Sequence, residues 1–418
     1  DQATGGQLMT ARSLGEMLAE QGLVYFAASS GSPGSGTLMN HRGAGAGLVH
    51  HELTIPDTLG AIVAEVLGPV PGIAAGASSV PLVSRAIDAL LLIGLDRADA
   101  DVMAVWLTEP DGTAHANGIG APETLEVLAD VDAEIGRLLD GLAERGLLGH
   151  TNILILSDHG FSTLTGSTSL TSLLVDAGLK ESARSTDVVV AGGAIHVRSG
   201  GDARVRAIVE LLQRTDWVGP VFTRPATADR TQGRIPGTLS FAAIGWNHVR
   251  SADILTSAAW TDAENEHGWR GEVLTPGTSG HGSASPWDIR ATLIAAGPAI
   301  KRGVTSDIPT GNVDVTPTVL RLIGATVPEG LDGRVLEEIL VGGPQPASLA
   351  GEADVVQAST EVGGVLYELT AYLSRIGESV YFDGTDVTRT RVEGRVAVPP
   401  PPPASTAGPP RSRAASDP

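Results

Sequence analysis

The sequence predicts an α/β protein with a mostly parallel central sheet and helices on both faces. Three observations lead there. Helical patterns alternate with short apolar runs along most of the chain. The runs are continuous rather than alternating, as in strands buried on both faces. The 418 residues are enough for one large core.

The first helix is expected over residues 8 to 21, where Leu8, Leu14, Met17 and Leu18 keep helical spacing, and it feeds the run Leu23 to Ala28. Ser29 to Gly47 is rich in Gly and Ser and reads as a long irregular loop, either a flexible surface segment or a functional one. A second unit runs from the helix Ser84 to Leu92 into the strand Val102 to Leu107. A third runs from Pro122 to Leu142 into Ile153 to Leu156. Further strands are expected at Asp187 to Val190, Ile195 to Arg198, Ile254 to Ala258 and Arg290 to Ala295, with helices at Ala203 to Gln213 and Val315 to Leu322.

Residues 1–345 are expected to form the core, with 223–280 as an insertion rimming a pocket. Residues 346–398 read as an extension of that core, and 399–418 as a Pro-rich tail with nothing to bury.

Composition narrows the function. Hydrophobic residues make up 42%, but no apolar run approaches the ~18 residues of a membrane span. The 28 basic and 48 acidic residues leave a net charge of −20, which repels a nucleic-acid duplex, so a phosphate-bearing ligand needs a local cation. With no cysteine there is no disulfide, thiolate zinc site or cysteine nucleophile. The chain starts at Asp1 without a readable leader, and a late start or a removed leader is expected.

Three clusters could carry chemistry. Asp111 and His115 stand four positions apart just past a strand end, the edge where ligands sit in open α/β sheets. Together they can reach one cation, although a surface turn also fits the pair. Ser157-Asp158-His159-Gly160 ends the strand Ile153 to Leu156 abruptly, and an ordinary strand-to-loop turn is the plain alternative. His281 lies between Gly280 and Gly282, which leave the backbone room to approach closely. A lone loop histidine is otherwise solvent-exposed.

The order and spacing of these clusters resemble the type I phosphodiesterase and nucleotide pyrophosphatase group of the alkaline phosphatase superfamily. The resemblance continues through Ile289 to Ile300, Asp314 to Gly324 and Leu331 to Leu336, covering most of residues 8–340. It implies an alkaline phosphatase-like fold and metal-dependent hydrolysis of phosphodiester or phosphoanhydride bonds. It also implies two divalent ions, with zinc favoured: Asp111, His115 and His281 would hold one, and Asp158 and His159 would contribute to the other. Such ions, about 4 Å apart, clamp the attacking and leaving oxygens at phosphorus. A small phosphorylated substrate and an extracytoplasmic setting are implied in the same way.

The chain departs from the family pattern at its start. The family's first strand, bearing a further Asp ligand, and its Thr or Ser nucleophile precede anything readable here, so a truncated chain lacking its nucleophile is expected. Thr10 is the one stand-in within reach of a predicted helix start, and an N-cap explains it better. A phosphomonoesterase, a sulfatase or a non-catalytic metal-binding fragment remain alternatives. His50, His51 and Glu52 are expected to be structural or exposed, with the two imidazoles pointing to opposite sides. Asp314 is expected to cap the helix ending at Leu322.

Overall fold

Helix α1 (Leu14–Ala19) starts where its capping chemistry starts. The Ser13 hydroxyl accepts the Glu16 amide at 3.3 Å and the Glu16 carboxylate accepts the Ser13 amide at 2.9 Å, a reciprocal box. The helix expected over 8 to 21 therefore begins at Leu14. The cap is Ser13 rather than Thr10, which lies exposed three positions earlier. The computed structural model describes residues 9–226 and 231–392. Leu8 and the tail 399–418 lie outside the described residues.

Strand β1 (Tyr25–Ser29) is buried at all five positions. It pairs in parallel with β2 (Gly47–His50) and, on its other edge, with β4 (Val102–Trp106), while β3 (Thr54–Ile55) adds an antiparallel edge to β2. Phe26, Ala28 and Val49 pack on one side with Val63, Ala86, Leu90 and Ile93. Tyr25, Ala27 and Leu48 pack on the other with Met17, Leu18 and Leu320. Alternate residues of one apolar strand thus serve two cores, which is why the run does not alternate in hydropathy.

The segment 29–47 is not wholly irregular. Ser32 caps α2 (Pro33–Met39), with Pro33 in the first turn. Helices α3 (Gly60–Leu67) and α4 (Val80–Asp88) follow, the latter continuing as a wider π-type turn through Ala89–Leu95. Beyond β4 come α5 (Asp111–Asn117), α6 (Pro122–Glu144), β5 (Ile153–Leu156) and β6 (Ser162–Leu164).

The chain divides into two compact units. Of the described residues, the second comprises 168–226, 231–256, 357–369 and 387–392. Its regular elements are α7 (Leu170–Asp176), β7 (Val188–Ala191), β8 (Ala194–Val197), α8 (Gly201–Arg214), β9 (Val218–Thr223) and β10 (Leu239–Ser240), together with most of β11 (Ile254–Ala258). Of the described residues, the first comprises 9–167, 257–356 and 370–386, so the segment 223–280 is shared between the two. It adds β12 (Trp260–Glu264), β13 (Arg270–Val273), β14 (Ser279–Gly280), α9 (Pro286–Ile289), β15 (Leu293–Ala296) and α10 (Val315–Leu322). Three long strands, β16 (Glu352–Val362), β17 (Val365–Ile376) and β18 (Ser379–Arg391), close the described chain.

Strand sense is more mixed than the helix-strand alternation suggests. Parallel pairs include β1 with β2 and β4, and β6 with β13. Antiparallel pairs include β5 with β15, β7 with β8, β8 with β11 and β6 with β14. The chain does not pass from β5 to β15 through one crossover helix, so nothing requires the two to run the same way. Ser285 caps α9, and the strand expected from Arg290 consequently begins at Leu293.

Candidate metal centre

Beyond β4 the chain turns through Glu109, which is 4% exposed. Its carboxylate accepts the amides of Ser79 at 2.8 Å and Thr113 at 3.0 Å. The second bond satisfies an N-terminal donor of α5 and fixes where that helix begins. Asp111 and His115 then fall one turn apart on a single face of α5. Ser279 on β14 holds the helix from the other side: its hydroxyl donates to Ala114 O at 2.5 Å, and its carbonyl lies 2.9 Å from His115 Nδ1.

β5 delivers Asp158 and His159. Asn312 donates its side-chain amide to the carbonyls of Ser157 at 3.2 Å and Asp158 at 3.0 Å, and His159 Nδ1 lies 2.9 Å from Gly160 O. Gly160 is more than a turn residue. A Cβ there would overlap the carbonyl oxygen of Trp287 and stand 2.8 Å from that of Arg290. His281 follows Gly280 and precedes Gly282, whose φ of +90° suits glycine.

These loops converge. His115 Nε2 and His281 Nε2 each lie 3.4 Å from Asp111 Oδ1, and His159 Nε2 lies 4.0 Å from the same oxygen. Asp158 Oδ1 stands 3.4 Å from His159 Nε2. The His159 and His281 rings stack at 3.4 Å, and Phe161 packs against His115 and His281 at 5.0 and 5.3 Å. Among the described residues, Asp111, His115 and His281 form a group whose ligand atoms all lie within 4.8 Å of one another. Asp158 and His159 flank it.

Asp111 Oδ1 is buried and has no hydrogen-bond partner, since separations of 3.4 Å exceed ordinary N–H···O distances. The Nδ1 atoms of His115 and His159 each face a carbonyl oxygen, which can only accept, so Nδ1 carries a proton and, in the neutral tautomer this selects, Nε2 presents a lone pair. Lone pairs then converge on a carboxylate oxygen, and a cation among them removes the conflict. His281 has its pKa lowered, first by burial and then by the stacked His159, against the opposing pull of Asp111. A lowered pKa keeps the ring neutral, the form a metal requires.

His50 is built into the fold. Its Nδ1 accepts the Glu52 amide at 3.0 Å and its Nε2 lies 2.8 Å from Gly31 O. His51 does not point to the opposite side, because β2 ends at His50; the two rings lie 4.0 Å apart. Asp314 occupies the N-cap position of α10, as expected, but its side chain makes no capping bond to that helix. Its carboxylate accepts the amides of Gly311 and Arg334 instead. Sequence reasoning passed over Glu109, Phe161, Ser279 and Asn312. Two of them left a signal, Glu109 as an acid beside a proline two residues before Asp111, and Phe161 as the residue after Gly160.

Residues 44–269, more than half of the chain, match the family model for type I phosphodiesterase / nucleotide pyrophosphatase. The chain belongs to this family. Ectonucleotide pyrophosphatase/phosphodiesterase family member 7 of Homo sapiens is 36% identical over 66 residues, covering 16% of this chain and 14% of that protein. Venom phosphodiesterase 2 of Crotalus adamanteus is 31% identical over 88 residues, covering 21% and 11%. The chain thus matches only a small part of the length of these curated relatives. An inactive form of murine ectonucleotide pyrophosphatase / phosphodiesterase 5 in complex with AMP superposes with a TM-score of 0.51 at 16% identity, covering 78% of this chain and 74% of that one. The fold of this phosphodiesterase-family chain is α/β, as its sequence implies, and resembles that of murine ectonucleotide pyrophosphatase / phosphodiesterase 5.

Proposed function

We propose that this chain binds divalent metal and serves the hydrolysis of a phosphodiester or phosphoanhydride in a small phosphorylated substrate. The buried, unpartnered Asp111 Oδ1, faced by three imidazole Nε2 atoms, carries this reading. Asp111, His115 and His281 would hold one ion, and Asp158 with His159 would contribute to a second. Such an ion, zinc by the mixed nitrogen and oxygen donor set, supplies Lewis-acid polarisation of the phosphoryl group.

The chain's own residues do the positioning. The Ser279 and Gly160 carbonyls fix the tautomers of His115 and His159, so that Nε2 of each is free to coordinate. Phe161 packs edge-on against the rings of His115 and His281 and restricts how they can turn. A cavity of about 260 Å³, lined among others by Asn117, Thr163, Glu264, Asn265 and Thr278, adjoins α5. It supports a substrate-selecting role for the part of the 223–280 segment that borders it.

The names of the relatives, with "ecto" and "venom" in them, support an extracytoplasmic setting. Among the described residues no helix is long and apolar enough to cross a membrane.

The test is metal analysis with a substrate comparison. The expected result is one tightly held zinc per chain, lost in His281→Ala, with bis(p-nitrophenyl) phosphate turned over faster than p-nitrophenyl phosphate or its sulfate. No bound zinc, or equal binding by His281→Ala, overturns the metal assignment. A preference for the monoester or the sulfate ester overturns the substrate class.

A further inference from the structure

We infer that Asp288 is a positioning residue: it clamps the loop carrying His159 to the loop carrying His281, and so sets the spacing of the metal centre. This rests on the metal-centre reading above for its consequence, but on separate contacts for its geometry.

Asp288 sits in the four-residue helix α9 and is 3% exposed. One carboxylate oxygen accepts the Ser162 hydroxyl at 2.5 Å, and the other accepts the Ser283 amide at 2.9 Å. Its own carbonyl accepts the Gly160 amide at 2.7 Å. Gly160 directly follows His159, and Ser283 lies two positions after His281. One residue therefore bonds both loops on the far side of their ligands.

The close approach at Gly160 is part of the same device. A side chain at 160 would overlap the Trp287 carbonyl, so only glycine lets the His159 loop reach α9. With both loops tied to Asp288, the imidazoles of His159 and His281 are held in a stack with 13° between their planes. The antiparallel pairing of Ser162 on β6 with Gly280 on β14 joins the two segments after His159 and before His281, and Asp288 adds the tie at Gly160 and Ser283, the latter on the other side of His281.

The charge on Asp288 is held by a hydroxyl and an amide rather than by a basic side chain, and both bonds are charge-assisted. Replacing it by asparagine keeps the volume and one acceptor: with the amide oxygen on the Ser283 N–H, the amide nitrogen can only donate to Ser162 Oγ, and both bonds lose their charge assistance. Both ties are then weakened. Groups that orient ligands from behind typically change metal affinity about 10–100-fold when altered, and a clamp one step further back should act at the lower end of that range.

The experiment measures zinc affinity by chelator competition in the parent chain, Asp288→Asn, Ser162→Ala and the core variant Leu18→Ala. Leu18 is fully buried near β1 and reports what general loss of stability does. Amide hydrogen exchange at Ser283 is followed in the same proteins without metal. Asp288→Asn is expected to weaken zinc binding about tenfold, Ser162→Ala to weaken it less in the same direction, and Leu18→Ala to leave it unchanged. Exchange at Ser283 should accelerate in Asp288→Asn alone. The clamp is overturned if Asp288→Asn and Ser162→Ala bind zinc like the parent, or if Leu18→Ala loses as much as they do. If Asp288→Asn fails to fold, Ser162→Ala against Leu18→Ala decides. If the parent binds no zinc, the proposed function falls, and the clamp stands or falls on whether Ser283 exchange accelerates in Asp288→Asn.

Discussion

Two polar clusters in the first compact unit make opposite use of buried carboxylates. Around Asp314 every charge is answered. Its oxygens accept the amides of Gly311 at 2.9 Å and Arg334 at 2.8 Å and the Tyr381 hydroxyl, while the Arg334 guanidinium pairs through two nitrogens with the fully buried Glu338 at 2.6 and 2.8 Å. Burial, and secondarily the Asp314 charge, push the Tyr381 hydroxyl up to about 12, so it stays a donor. Around Asp111 one oxygen is buried without a hydrogen bond, and the neighbouring nitrogens offer it lone pairs. A complete network has no use for a ligand, whereas an incomplete one of this composition is completed by a cation.

The largest effect that would sharpen this contrast lies in the complete network. Glu338→Ala leaves Arg334, whose side chain is 15% exposed, as an unpaired buried cation. It should destabilise the fold by about 3–5 kcal/mol, equally with and without zinc, in urea unfolding. A loss under about 1 kcal/mol would mean the network is less structural than its bonds indicate. The next effect belongs to the incomplete cluster. Asp111→Ala should lower zinc affinity at least about 100-fold, close to 2.7 kcal/mol, and leave metal-free stability almost untouched. Competition titration and urea unfolding of the metal-free protein read the two halves separately.

What could be read from the sequence follows from how far each determinant reaches. Ile153–Leu156, Ile254–Ala258 and Val315–Leu322 appear in the structure with their expected bounds, because apolar periodicity is local. Helix α2 was hidden because its Pro, Gly and Ser residues have poor helix propensity. It is held by the Ser32 cap and by Gly36, where a Cβ would stand 3.2 Å from His50 Cδ2. At the site, the convergence of Asp111, His115, His159 and His281 was legible from motif order. Their supports were not: Ser279 acts on His115 across 164 positions and Asp288 on Ser162 across 126, and no local pattern marks such pairs.

A smaller effect tests whether close backbone approach, rather than a flexible turn, builds the incomplete cluster. Gly160→Ala places a methyl group against two carbonyl oxygens of the backbone, which cannot rotate away as a side chain could. A cost of about 1–3 kcal/mol is expected, with a parallel loss of zinc affinity, by thermal unfolding and titration. A fully tolerated alanine would show that the 158–160 turn is free to move and that its approach to α9 is incidental.

The smallest expected effect discriminates best. Two accounts of the Asp111 cluster are available: the imidazoles are neutral and arranged to take a cation, or they are protonated and already paired with the carboxylate. Under the second account Asp111→Asn breaks ion pairs and should destabilise the metal-free protein at pH 7. Under the first it removes a charge facing lone pairs, and the change should be below about 1 kcal/mol, favouring the variant. The His281 shift supports the first account, since burial and then His159 lower its pKa and only Asp111 and Asp158 oppose them. A histidine with a lowered folded pKa binds fewer protons than the unfolded chain, so metal-free stability should fall as pH drops through about 6.5. The fall should be steeper in Asp111→Asn, which has lost the charge that tempered the shift. Saturating zinc should then reverse the order, because the parent gains about 2.7 kcal/mol at 100 times its dissociation constant while the variant gains much less. If Asp111→Asn instead costs several kcal/mol at pH 7 without metal, and zinc does not widen the gap, Asp111 is a structural partner of charged histidines and its resemblance to an empty ligand set is misleading.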